Sequence, residues 1–427
     1  RSTERDNAAF FTPEQWQRID ANDFTDWTAL ILENGLQMNH NVSASGGDEK
    51  TQFSIGAGLM EEEGNVAPES FKRYSLRGNV DRAINDKWKV GLNMYMTQNL
   101  QNIGSSEALR SAYRLPPVAA AYDENGERIF RVYGTDAVTN PMFDQENEIR
   151  RLRSFRTFGN LYLQVKPLDY LTLKSTISPS YYAERTGYYF GPFSKERLGG
   201  SLPTQGNNAT SEQFTWVLDN QAIFEQQIDM HKITATVVQS MQKDRTESNF
   251  ITAEGLPYES LWYNLATGPT VRAYGSGFIQ STLVSYMGRV NYSFDDRFLL
   301  TATGRWDGSS RLADGNKWGF FPSASVAWRL SNEAFMAEIS AVNDLKLRVS
   351  YGVSGNDRVN PYSTQAALSQ TYYDFGGAVA PGYAPGQLPN KNLTWEKTGE
   401  LNVGLDFSVL NGRVSGNVDV YDRKINN

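Results

Sequence analysis

From Met38 onward the chain alternates, residue by residue, between apolar and water-loving side chains. Between Trp88 and Asn99, residues Trp88, Val90, Leu92, Met94 and Met96 share one side of an extended backbone, and Lys89, Gly91, Asn93 and Tyr95 share the other. Successive side chains of a strand point to opposite faces, so this pattern predicts a strand with one apolar and one polar face. The sense repeats. Phe53, Ile55, Ala57 and Leu59 oppose Gln52, Ser54, Gly56 and Gly58, and Tyr74, Leu76 and Val80 oppose Arg73, Ser75, Arg77, Asn79 and Asp81. Leu161, Leu163 and Val165 oppose Asn160, Tyr162 and Gln164, and Val284, Tyr286, Val290, Tyr292 and Phe294 oppose Ser285, Arg289, Asn291 and Ser293. Ala324, Val326, Trp328 and Leu330 oppose Ser323, Ser325 and Arg329, and Leu401, Val403, Leu405 and Phe407 oppose Asn402, Gly404 and Asp406. About fourteen runs of strand length behave this way.

The connections sort by length. Short links at 84–87, 167–170, 227–230, 295–296 and 409–412 alternate with long ones at roughly 100–154, 184–212, 243–280 and 355–392, and residues 331–344 make one longer link of a short helical turn on the short side. Short turns at one end and long loops at the other are the pattern of an outer-membrane barrel. A sandwich or a propeller has no reason to sort its loops by end, and no internal repeat of fixed period is present. Eleven residues at about 3.3 Å each, tilted near 45°, cover roughly 25 Å, the height of the apolar band on such barrels. Trp88, Phe294 and Trp328, each at a strand end, suit the aromatic girdle at headgroup level. The fold class is therefore all-β, an antiparallel transmembrane barrel.

Composition agrees without adding much. The mean hydropathy is -0.51, and no apolar run approaches the length of a membrane helix. A net charge of -7 with no strongly basic domain argues against nucleic acid as a partner. The absence of cysteine removes disulfides and thiolate metal sites.

Residues 1–37 read differently. Thr12 is placed to cap a helix with Pro13 at its first position and Gln15 closing a capping box. A second short helix is expected over residues 25–34, ending at Gly35. The division expected is a helical or irregular extracellular segment at 1–37 and barrel at 38–427.

Three stretches go beyond pattern. Residues 37–66, QMNHNVSASGGDEKTQFSIGAGLMEEEGNV, and then FKRYSLRGNVD at 71–81, resemble the start of the barrel in SusC/RagA-type TonB-dependent outer-membrane transporters. Residues 298–331 carry a DGSSR segment and 345–357 the sequence LKLRVSYGVSGND, similar to paired segments of that family. Residues 393–424, opening on LTWEKTGELNVGLDF, are similar to its terminal hairpin. The resemblance implies a 22-stranded barrel in the outer membrane of a Gram-negative bacterium, of which the fourteen strands would be an internal part. It implies a plug domain and a TonB-contacting segment, which are absent from residues 1–427, with TonB-ExbB-ExbD coupling through that plug. It also implies a SusD-like lipoprotein over the mouth, outer-membrane lipid and lipopolysaccharide around the wall, and import of oligosaccharides or peptides. A passive porin or a structural barrel is the alternative.

Little supports enzyme chemistry or a bound cofactor. His40 and His231 are the only histidines, both near short turns, and no H-E-x-x-H, P-loop or G-x-S-x-G motif is present. Asp123-Glu124-Asn125-Gly126 and Asp314-Gly315-Asn316 are read as turns rather than cation loops, leaving no metal site. The long loops hold the candidate substrate contacts: Tyr188, Tyr189, Phe190, Trp262, Tyr263, Tyr372, Tyr373 and Phe375, with Tyr181, Tyr182, Phe193 and Tyr383 nearby. Aromatic faces stack on sugar C–H surfaces or peptide side chains. They equally pack loops together or against a lid, and both readings stay open. Trp262, Tyr189 and Tyr373 are expected to converge over the lumen. The glycine- and proline-rich stretch 376–390 suits contact with the lid protein. The run Arg150, Arg151, Arg153 and Arg156 could meet an anionic ligand, lipopolysaccharide phosphates or acidic neighbours, the last being favoured.

With short turns on the periplasmic side, the first strand runs inward and the last outward, leaving Asn427 outside. The first and last strands are then expected to pair with further chain rather than with each other, because unpaired N–H and C=O groups at membrane depth cost several kcal/mol each.

Overall fold

The computed structural model describes residues 11–133 and 138–426. Residues 1–10 of the N-terminal segment and Asn427 lie outside that range. Sixteen strands follow in order: β1 (Gln37–Gly47), β2 (Thr51–Glu63), β3 (Ser70–Ala83), β4 (Trp88–Asn102), β5 (Glu148–Leu168), β6 (Leu171–Phe190), β7 (Gln205–Ile228), β8 (His231–Glu254), β9 (Thr270–Phe294), β10 (Phe298–Ser309), β11 (Trp318–Arg329), β12 (Val342–Asn356), β13 (Ala367–Phe375), β14 (Ala378–Gln387), β15 (Glu396–Val409) and β16 (Val414–Asn426). Fourteen of them form one antiparallel sheet in sequence order, with β15 next to β12, while β13 and β14 make a separate hairpin. β1 and β16 are the two edges of the large sheet and are not bonded to each other.

Register turns the local alternation into one continuous surface. Paired residues of neighbouring strands point to the same face. Phe53 pairs with Val80, Val80 with Leu92, and Leu92 with Leu161. Leu161 continues to Ile177, Leu218 and Met241. Val290 pairs with Ala302, Ala302 with Ala324, and Ala324 with Tyr351. Leu405 and Val418 close the series. Every apolar face named from sequence lies on the same side of this sheet.

The opposite side is polar and hydrogen-bonded across strands. Asn79 Nδ2 donates to Ser54 Oγ at 3.0 Å and Asn93 Nδ2 to Asn160 Oδ1 at 2.9 Å. Arg348 forks onto Asp406, with Nε and Nη2 at 3.0 and 2.9 Å, and Nη2 also reaches Asp419 at 3.2 Å. A water-filled lumen would satisfy the remaining donors and acceptors of this face.

The short-turn end has its own chemistry. Asp48 Oδ1 accepts from the Lys50 and Thr51 amides, and Asn85 Oδ1 from the Lys87 and Trp88 amides. Side-chain caps of this kind are what Asp and Asn contribute to tight turns. On the apolar face beside these turns, His231, Phe294, Phe298 and Trp328 fall in one register row. Phe298 stacks on Trp328 at 6.1 Å, and His231 Nδ1 lies 2.7 Å from the Tyr292 hydroxyl. His231 thus belongs to the aromatic girdle.

Four expectations need correction. The expected helix over 25–34 is a set of turns over 27–31, after which Leu32 bridges to Val66. Residues 331–344 hold two 3₁₀ turns, Leu330–Asn332 and Ala334–Met336. The stretch read as a loop at 376–390 is largely β14. Three of the long loops are also shorter than expected, at 103–147, 191–204 and 255–269, because β7 and β8 run 24 residues and β9 runs 25. A bilayer uses only about eleven residues of such a strand. Beyond it both faces are wet, so the alternation fades while backbone pairing continues. The capping box at Thr12, by contrast, is present at the start of α1 (Pro13–Ala21).

Candidate ligand vestibule

Apart from the link 330–341, the long connections leave from one end of the sheet. The first, residues 103–147, carries helices α2 (Ala108–Arg114) and α3 (Pro141–Asn147). The N-terminal segment sits on this loop. Trp27 and Ile31 bury against Ala112, Leu115, Ala119 and Ala121. Trp27 Nε1 donates to the Pro116 carbonyl at 3.2 Å and Thr25 Oγ1 to the Ala119 carbonyl at 2.8 Å. A second contact joins α3 to residues 191–204. Phe130 packs edge-on against both Phe143 and Phe193, which lie tilted against each other, and Lys195 Nζ reaches Glu107 at 2.7 Å. The mouth is therefore a layered structure rather than a set of free loops.

The second and third of the stretches that carried the family resemblance meet at one point of this rim. Ser309 of the DGSSR segment donates through Oγ to Asp357 Oδ2 of the second segment at 2.7 Å. Ser310 Oγ accepts from the Thr282 amide at 2.8 Å, and Arg311 Nη2 reaches Ser281 Oγ at 3.2 Å. Trp395 of the third segment packs edge-on against Phe321 at 5.1 Å and donates through Nε1 to the Lys317 carbonyl at 3.0 Å. Leu312 completes the buried cluster. Gly355 permits the approach, since a Cβ there would come within 2.1 Å of the Phe321 ring. Spacing along the chain gave no sign of this junction, because its members come from strands β9 to β12 and from the connections 310–317 and 357–395, far apart in sequence.

The candidate aromatics separate into three groups. Tyr188 and Phe190 lie on the polar face, with rings 5.1 Å apart, and the guanidinium groups of Arg150 and Arg197 stand over Phe190 at 5.5 and 5.9 Å. Tyr189 points to the other face and is buried with Trp262 and Leu256, and the Tyr263 ring lies tilted beside Trp262 at 5.4 Å. Tyr372, Tyr373 and Phe375 lie on β13, exposed to 64%, 52% and 70%. The expected convergence of Trp262, Tyr189 and Tyr373 over the lumen is not what the structure holds. Period 2 alone separates Tyr189 from Tyr188 and Phe190.

The same parity divides the basic run. Arg150 and Arg156 face the polar side, where Arg150 pairs with Glu148 at 2.6 Å and Arg156 stands over Tyr182 at 5.5 Å. Arg151 and Arg153 face the apolar side, so the expected acidic neighbour is found for Arg150 alone. The Asp123 segment is a turn whose Oδ1 accepts from the Asn125 and Glu127 amides. Among the described residues, no group of three or more His, Asp or Glu side chains is placed to hold a metal ion.

One carboxyl at the mouth gives a pH prediction. Asp144 of α3 is 1% exposed. Its Oδ1 accepts from the Lys195 amide at 2.7 Å, and its Oδ2 has no hydrogen-bond partner among the described residues. Burial pushes this carboxyl from 3.8 up to about 7, with Glu148 and Glu107 adding to the rise and the Lys195 amide opposing it. Between those values the unfolded loop loses its proton and the folded loop keeps it, so stability present below 3.8 is lost as the pH climbs to 7. Each pH unit crossed in that window changes the local opening equilibrium about tenfold. Hydrogen exchange of α3 and residues 191–197, corrected for intrinsic rates, should be slower at pH 5 than at pH 8. Asp144→Asn should remove the difference. An unchanged difference in that variant would assign the effect to other groups.

The family described as TonB dependent receptor-like, beta-barrel, matches residues 187–427. A TonB-dependent receptor of Formosa agariphila is 30% identical over 416 residues, covering 94% of this chain and 41% of that protein. The TonB-dependent receptor SusC of Bacteroides thetaiotaomicron is 26% identical over 432 residues, covering 94% of this chain and 42% of SusC. The solved structure of the RagAB peptide transporter has the same fold, with a TM-score of 0.83 at 24% identity over 95% of this chain and 46% of that one. The chain thus spans less than half the length of these relatives.

Proposed function

Because the chain belongs to the TonB-dependent receptor-like β-barrel family, we propose that it forms part of the wall and mouth of an outer-membrane importer of the SusC/RagA type. The supporting observation is a single fourteen-stranded sheet, apolar on one face and polar on the other, with its elaborate loops all at one end. In this reading the apolar face meets outer-membrane lipid, residues 38–427 belong to the barrel, and residues 1–37 sit outside the cell. Edges β1 and β16 pair with further strands of a larger barrel, since lipid cannot satisfy their backbone groups. TonB coupling acts through a plug, and a SusD-like lipoprotein closes the mouth, to which the exposed β13–β14 hairpin is the best-suited surface. The protein does no covalent chemistry on its cargo. The cargo is an oligosaccharide or a peptide, gripped by polar-face aromatics of which Tyr188 is the most accessible to test. Likeness to a protein known as a peptide transporter adds weight to peptides.

The experiment is uptake by cells carrying the complete protein, with a panel of labelled glycans and peptides. Import should cease when the proton-motive force is dissipated. Continued entry would favour a passive pore. Tyr188→Ala should reduce uptake several-fold at limiting substrate with barrel abundance unchanged, the loss expected for one stacking contact of about 1 kcal/mol. Undiminished uptake in that variant would leave this ring a packing role only. Purification of the complete protein without any lipoprotein partner would count against the lid.

A further inference from the structure

One recess lies on the apolar side of the sheet, outside the vestibule. It has a volume of about 310 Å³, and its lining includes Lys72, Arg151, Arg153, Arg185, Trp262 and Tyr263. The four cations share the face of Leu92 and Leu161. Lys72, Leu100, Arg153 and Arg185 form one register row across β3 to β6, and Asn102, Arg151 and Gly187 form the next row outward. One row inward lie Gln98, Phe155 and Ala183, then Met96, Thr157 and Tyr181. The cations thus begin where the apolar band stops, on the side of the long loops.

This arrangement lacks its counter-charge. Arg153 and Arg185 are direct cross-strand partners, and like charges so placed repel. Among the described residues no ion pair joins Arg151, Arg153 or Arg185 to a carboxylate, whereas Lys72 is paired with Glu61 at 3.0 Å. The guanidinium groups are nonetheless positioned. Arg151 lies 6.0 Å from the Trp262 ring centroid and Arg185 lies 5.8 Å from that of Tyr263. Arg185 Nε is spent on Asn208 Oδ1 at 2.8 Å. Trp262 is itself fixed on Gly187, where a Cβ would come within 2.0 Å of the indole. Aromatic faces hold the planes of two guanidinium groups and leave N–H edges for oxygen acceptors, the geometry that suits phosphate.

We propose that this recess binds a phosphate on the headgroup of an outer-leaflet lipid. The proposal rests on the reading that the apolar face meets the bilayer. A lipid is favoured over a free anion because the recess opens directly above Phe155, Tyr181 and Met96, against which acyl chains would lie. Basic recesses at the membrane surface recognise lipid headgroups by the same electrostatics.

The test uses the complete protein, delipidated in a zwitterionic detergent, with diphosphoryl lipid A as the probe and native mass spectrometry as the readout. Dephosphorylated lipid A and inorganic phosphate are the comparison ligands. The triple variant Arg151→Gln, Arg153→Gln, Arg185→Gln should bind lipid A at least about tenfold more weakly, the loss expected from removing charge-assisted hydrogen bonds. The pair Arg150→Gln, Arg156→Gln, on the polar face, should bind as the parent does. All three apolar-face arginines are exposed, and unchanged barrel migration on gels checks folding. Equal binding by the triple variant, or by dephosphorylated lipid A, would overturn the proposal. Displacement of lipid A by inorganic phosphate at comparable concentration would make the recess a free-anion site and overturn it too. Extraction of the protein without detergent would instead sink the membrane reading before any lipid is added.

Discussion

Leu92→Arg is expected to destabilise the complete barrel in lipid by about 2–4 kcal/mol, the cost of a cation on the lipid face at mid-depth. Leu92 is the middle residue of the apolar series from Trp88 to Met96 on β4. It lies between Val80 and Leu161 in register, so its surroundings on both sides are aliphatic. In the isolated chain it is 45% exposed, and an arginine there would meet no steric obstacle. A soluble sheet with this face in water would gain solubility from the change. Only a bilayer makes it expensive. The depth dependence supplies the control, because Gln98→Arg on the same face should cost about 0–1 kcal/mol near the headgroups. Denaturant transitions in phospholipid vesicles would read both values. Equal midpoints for the two variants would mean that this face does not see a graded apolar medium, and the barrel reading would fall.

Trp395→Ala should be as damaging, by about 3–5 kcal/mol, the usual cost of emptying a buried Trp site. Trp395 is 5% exposed and touches the cluster of Leu312 and Phe321. Its indole N–H also satisfies the Lys317 carbonyl at 3.0 Å. Losing both leaves a cavity and an unpaired acceptor at the point where the connections 310–317 and 357–395 are tied together. The damage should be local to the rim. Residues 310–317 and 357–395 should become sensitive to protease while the membrane strands stay protected. A variant with uniform loss across the barrel, or with no change in cleavage, would show that the junction does not organise the mouth. Ser309→Ala, which removes the bond to Asp357, should give a weaker version of the same pattern, about 1 kcal/mol.

Much of this molecule was legible one residue at a time. A strand's alternation is a local property, so parity alone told which side each of Trp88 to Met96 would face, and the register extended that side across fourteen strands without a break. The capping box at Thr12 and the Asp and Asn turns were equally local, since each closes its own hydrogen bonds within three or four residues. Parity could also have separated Tyr189 from Tyr188 and Phe190, and divided the arginine run, had the strands been followed above the bilayer. They were not, because once both faces are wet nothing in side-chain polarity marks where pairing continues.

What only the tertiary structure decided depends on which strand lies beside which, and how far up. The pairing of Arg153 with Arg185, and of Ser309 with Asp357, joins residues 32 and 48 positions apart. The seat of Trp262 on Gly187 exists because a loop folds back over β6, which no periodicity encodes. Local chemistry determined the faces of this wall. Long-range register and loop packing determined what is gathered on them.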